Sequence, residues 1–151
     1  MFSRHNLTIA VLQQAAVPST PLAPLPLYES VPAGFPSPAE DHAEGRLDVH
    51  ELLIRRPAAT FFVRAQGPSM IEVGIHDGDL LVVDRSIQAL DGDVVVATLG
   101  GGLTVKRLVR RGNAWALSPA NPDFPVLPID PEEGVQIWGV VTYAITPLCP
   151  R

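Results

Sequence analysis

From Thr60 onward, short apolar runs alternate with breaks rich in glycine, aspartate and proline. Thr60–Phe61–Phe62–Val63–Arg64–Ala65 is β-branched and aromatic, which predicts a strand. Leu80–Leu81–Val82–Val83 predicts a second, entered through the turn Asp77–Gly78–Asp79. Asp93 to Ala97 predicts a third after Asp91–Gly92, and Leu103 to Val109 a fourth. Gly100–Gly101–Gly102 between those two has the composition of a hairpin turn. Ala114 to Leu117 and Val135 to Ile145 supply at least two more strands. Helical signals are confined to Val49–Arg55: Asp48 and Glu51 have the spacing of a capping box, and Pro57 ends the run. Short strands with Gly-rich turns and almost no helix predict a mostly-β, curled or partly open barrel-like domain over residues 46–151.

Residues 1–45 follow a different pattern. They hold Pro18, Pro21, Pro24, Pro26, Pro32, Pro36 and Pro38, 7 of the 16 prolines in the chain. Proline removes backbone donors and holds the preceding residue extended, so a helical domain is not expected there. The segment reads as a flexible, extended N-terminal arm, with brief strand character at Pro26 to Val31. No internal repeat interrupts either region.

Composition narrows the classes. Hydrophobic residues make up 46% of 151, enough for a real core. The net charge of −5 argues against a broad nucleic-acid surface. The densest basic group, Arg107, Arg110 and Arg111, reads as a solvated strand end. One cysteine, Cys149, permits no internal disulfide, which fits a reducing compartment, and it has no evident catalytic partner. No stretch reaches the roughly 18 apolar residues of a membrane helix, and the run Leu7 to Leu12 is a weak secretory signal. A cytoplasmic protein is expected.

The candidate chemistry rests on two residues. Ser69 lies in Gly67–Pro68–Ser69–Met70, directly after a predicted strand; alone, it reads as a turn serine. Lys106 lies inside the strand Leu103–Leu108. Alternation puts Thr104, Lys106 and Leu108 on one face and Leu103, Val105 and Arg107 on the other, and the pattern does not decide which face is buried. A buried lysine loses solvation of its charged form, its pKa falls, and the neutral amine can take a serine proton. His5, His42, His50 and His76 have no obvious partners, so a Ser-His-Asp triad lacks support. Nothing has metal-ligand spacing, and no cofactor is expected.

Several segments, in order, resemble the LexA/UmuD family of self-cleaving Ser/Lys peptidases. They include Ala33–Gly34–Phe35–Pro36–Ser37–Pro38–Ala39, Leu52–Leu53–Ile54, Ala59 to Val63 and Gly67–Pro68–Ser69–Met70–Ile71. Gly74 to Asp84, Gly92–Asp93–Val94–Val95, Thr104–Val105–Lys106–Arg107–Leu108 and Trp138–Gly139–Val140–Val141 complete the set. The separation of 37 positions between Ser69 and Lys106 is also similar to the family's. The resemblance spans roughly Pro26 to Ile145.

The resemblance implies a catalytic domain of LexA and signal-peptidase type. Ser69 would be the nucleophile, Lys106 the general base, and Ala33–Gly34 the scissile bond. It further implies a RecA filament on single-stranded DNA as the promoter of cleavage. The product would be a homodimer serving a UmuC-like Y-family translesion polymerase in the SOS response. The site is physically suited to cleavage: Ala33 is small, Gly34 permits close backbone approach, and Pro32 and Pro36 favour an extended peptide. Two positions depart from the pattern. Ala33 stands where some relatives carry Cys, although Ala-Gly sites occur among LexA-type members. Pro68 has no N–H to offer an oxyanion, so the amide of Ser69 itself is expected to serve.

Three other readings stand beside this one. A LexA-like repressor would need a helix-turn-helix, for which the proline-rich arm leaves no room, so sequence-specific DNA binding is not expected. A membrane signal peptidase would need an anchor. A non-catalytic β-domain binding a polymerase would keep the fold without the chemistry.

Overall fold

The computed structural model describes residues 23–28, 43–149 and 151 of the chain. The expected cleavage pair Ala33–Gly34, and residues 29–31 of the expected strand, lie outside the described residues. The chain divides into two compact units, Met1–Leu52 and Leu53–Arg151.

In the first unit, β1 (Leu25–Tyr28) pairs antiparallel with β2 (Ala43–Leu47), Leu25 opposite Leu47 and Pro26 opposite Arg46. The Arg46 guanidinium donates to the Pro24 carbonyl. Sequence patterning gives no sign of β2, because Ala-Glu-Gly-Arg-Leu contains no β-branched or aromatic residue. After it, the Asp48 carboxylate accepts the N–H groups of His50 (2.8 Å) and Glu51 (3.1 Å), which otherwise have no partner inside a helix. The helix α1 that follows spans Val49–Leu53, so it stops two residues before the predicted end at Arg55.

The second unit is a seven-stranded antiparallel sheet. Its strands are β3 (Thr60–Arg64), β4 (Leu80–Asp84), β5 (Val94–Leu99), β6 (Gly102–Arg111), β7 (Ala114–Ser118), β8 (Leu127–Pro128) and β9 (Gln136–Ile145). Their spatial order is β3-β4-β9-β5-β6-β7-β8. The sheet is open, with β3 at one edge and the two-residue β8 at the other. This is the mostly-β, unclosed architecture expected from the sequence. The final strand lies in the middle: β9 pairs with β4 on one side and β5 on the other.

Both faces of the sheet carry core. Consecutive side chains of a strand point to opposite faces. Val96 packs with Met70, Ile75, Leu81, Val83 and Ala120, whereas its neighbour Val95 packs with Ala97, Leu108, Leu117 and Val140. That explains why β4 and β5 read as unbroken apolar runs rather than as alternation. Each such fully buried valine or leucine contributes about 1.5–3 kcal/mol through loss of apolar surface from water.

Two glycine positions shape the frame. The β5–β6 hairpin closes through Gly100 and Gly101, with φ of +57° and +83°. Positive φ at both central residues matches the right-handed twist of the strands it joins. Gly139 in β9 is needed for another reason. A Cβ there would meet Val83 Cγ1 at 2.6 Å and the Asp84 carbonyl oxygen at 3.2 Å, so only glycine lets β9 lie this close to β4.

Candidate active site

Ser69 leaves the sheet immediately after β3, in the connection to a 3-10 turn at Ile71–Val73. Its backbone is fixed from several sides. The Asp77 carboxylate accepts the Gly67 N–H at 2.7 Å. The Asn121 amide nitrogen donates to the Pro68 carbonyl at 2.9 Å. The Ala120 N–H donates to the Ser69 carbonyl at 2.9 Å, and the N–H groups of Val73 and Ile75 both reach the Met70 carbonyl. Met70 itself is buried in the core, so the loop is pinned by an apolar anchor next to the serine.

Lys106 comes from the interior of β6, opposite the fully buried Val95 of β5. The sequence left open whether Lys106 or Arg107 turns toward the serine. The structure brings Lys106 Nζ to 3.1 Å from Ser69 Oγ, across 37 positions of chain. The same nitrogen donates to Thr104 Oγ1 and to the Val105 carbonyl, both at 3.0 Å. Thr104 shares the Lys106 face, as alternation requires, and is a contact that sequence reasoning placed without assigning it a part.

Burial pushes the Lys106 pKa below its ordinary value, since desolvation disfavours the ammonium. Among the described residues no carboxylate forms an ion pair with it to offset that effect. The arrangement therefore couples a hydroxyl to an amine that loses its proton more readily than an ordinary lysine.

The other candidates stand apart from this pair. His76 is exposed and lies 3.5 Å from the buried Asp79 carboxylate, whose pKa is lowered chiefly by the backbone N–H of His76. His50 sits in α1, and His5 and His42 lie outside the described residues. Cys149 is exposed. Arg110 stacks over the Trp115 ring at 5.9 Å. Among the described residues, no cluster of His, Cys, Asp and Glu could hold a metal ion, and no helix is long and apolar enough to cross a membrane.

Of the side chains that hold this loop, Asn121 was not singled out from the sequence, and Asp77 was read only as part of a turn. Asn121 lies in Pro119–Ala120–Asn121–Pro122–Asp123, which reads locally as a turn. Only its buried position beside the serine loop gives it meaning.

Comparison with known proteins identifies relatives of the chain. Residues 26–142 match the family described as Peptidase S24-like. The chain is 52% identical over 136 residues to Protein SamA of Salmonella typhimurium, covering 90% of this chain and 92% of that protein. It is 49% identical over 131 residues to Protein MucA of Escherichia coli, covering 84% and 89%. The LexA repressor of Dechloromonas aromatica is 43% identical over 130 residues, 82% of this chain but 64% of the repressor.

Proposed function

Because the chain belongs to the Peptidase S24-like family, we propose that it is a serine endopeptidase that cleaves itself between Ala33 and Gly34, with Ser69 as nucleophile and Lys106 as general base. The observation that carries the reading is the 3.1 Å contact between Lys106 Nζ and Ser69 Oγ, made by an amine whose charged form burial disfavours.

The three partners of Lys106 suit the role of base. A neutral amine has two N–H donors and one lone pair. Thr104 Oγ1 and the Val105 carbonyl accept the two hydrogens, which leaves the lone pair directed at the Ser69 hydroxyl. Lys106 takes the hydroxyl proton as Oγ bonds to the Ala33 carbonyl carbon. The resulting ammonium gives that proton to the Gly34 nitrogen as the peptide bond breaks. Water, deprotonated by the same amine, then attacks the acyl carbon, and the ammonium returns that proton to Ser69 Oγ as the Ala33 carboxylate leaves. Catalyst and substrate share one chain, so the reaction is governed by how often the arm presents its bond.

The remaining parts of the proposal rest on the resemblance. A RecA filament on single-stranded DNA would favour the docked arm by population shift. The processed chain would act as a cytoplasmic homodimer with a UmuC-like translesion polymerase.

The test is intact mass after incubation at alkaline pH, with Ser69→Ala and Lys106→Ala alongside. Loss of Met1 to Ala33 from the wild type alone is expected. Equal cutting in Ser69→Ala would overturn the assignment. Repeating the incubation with RecA, single-stranded DNA and a nucleotide separates a filament-dependent peptidase from a binding module, which stays whole in both.

A further inference from the structure

A serine peptidase needs a donor for the negative charge that develops on the attacked carbonyl oxygen, and here the obvious source is restricted. Pro68 has no N–H, so the Ser69 amide is the nearest backbone donor. Among the described residues that N–H has no acceptor, so it is free to meet an oxyanion. Its direction is set by the Pro68–Ser69 peptide, which is planar. In a trans peptide the C=O and N–H point in opposite directions, so fixing one aims the other.

The Pro68 carbonyl has two partners. The Ile71 N–H is long, at 3.4 Å, and the Asn121 amide nitrogen is close, at 2.9 Å. Asn121 is buried, with 7% of its surface exposed. Its amide cannot be turned around without loss, because Oδ1 accepts the Asp123 N–H at 3.0 Å. An amide buried this deeply is costly unless its donors and acceptors are met, and both ends are met here. The backbone around it has its own anchors, Asp77 on the Gly67 N–H and Ala120 on the Ser69 carbonyl. The peptide that carries the Ser69 N–H depends chiefly on Asn121.

We infer that Asn121 is a positioning residue: by holding the Pro68 carbonyl, it aims the Ser69 N–H at the oxyanion. The inference rests on the peptidase reading above. Among the described residues the Asn121 side chain hydrogen-bonds the Pro68 carbonyl and the Asp123 N–H, not Lys106.

The test uses the full chain, under whichever condition cuts the wild type. Removing an oxyanion donor outright costs roughly 100- to 1000-fold in rate, so misaiming one is expected to slow cleavage by about 10- to 100-fold. Asn121→Ala is made first. Asn121→Asp keeps the side-chain shape while removing the donor, and stands in if the first variant does not fold. In a folded variant, the plateau rate should fall while the pH midpoint stays where Lys106 sets it, and the Ser69 amide resonance should shift. An unchanged plateau in a folded variant would sink the inference alone, as would a slower rate explained by a moved pH midpoint. A wild type that stays uncut under every condition would remove the peptidase reading, and the inference with it.

Discussion

At Lys106, charge and burial oppose each other, and the sign of that conflict can be worked out. Desolvation sets the folded pKa below the ordinary 10.5. Between the two values the unfolded chain binds the extra proton, so stability rises with pH across that window. Below the folded pKa both states are protonated, and the folded chain carries a poorly solvated ammonium. Relative to Lys106→Met, the wild type should therefore gain stability as pH rises toward 10.5, which denaturant titrations at a series of pH values would measure. The cleavage rate should follow the same neutral amine, climbing with pH to a plateau reached below 10.5. Lys106→Arg should give no cleavage at any alkaline pH, since a guanidinium keeps its proton. Thr104 offers a finer test. Thr104→Val keeps the shape of the side chain but loses an acceptor for the amine, so its lone pair is less well aimed. The plateau should fall several-fold with Ser69 and Lys106 intact, read by the same mass assay.

Among the elements, β9 bears the tightest constraint. Gly139→Ala would drive a methyl group into Val83, which is fully buried and cannot swing into solvent. Overpacking of this kind costs about 1–3 kcal/mol. The double variant with Val83→Ala should be less destabilised than the two single losses added together, because the second change makes room for the first. Chemical denaturation of the four proteins closes that cycle. The elements also show what patterning can read. β3 to β6 and β9 were legible because β-branched runs end at Gly and Asp turns; with β7, an Ala-Trp-Ala-Leu run, all six lie where expected to within two residues. β8 was not, since Leu127–Pro128 is too short to carry a period. Nor was β2, which depends on pairing with β1 rather than on its own residues. The Ser69 turn was legible; the orientation of Lys106 was not. Alternation picks out a buried face only when the other face is wet, and this sheet packs a cluster on each side. Asn121 was hidden for a related reason: its partner is 53 positions away.

At the scale of the molecule, the two clusters share no member, so they should behave as separate sources of stability. Leu81→Ala in one and Leu117→Ala in the other should each cost about 2–5 kcal/mol. Their sum should match the double variant within about 0.5 kcal/mol, measured by denaturant unfolding. The same layout bears on when the chain could become active. Ser69 follows β3, and Lys106 belongs to β6; the sheet order places β4, β9 and β5 between those strands. The central member of that trio, Gln136–Ile145, follows both Ser69 and Lys106 in the chain and so is made after them. A chain emerging from the ribosome holds its serine and its lysine long before it holds the strand that joins their two halves of the sheet. Self-cutting would thus wait until Gln136–Ile145 has been made, and a chain stopped just before Gln136 would carry both Ser69 and Lys106 and remain whole.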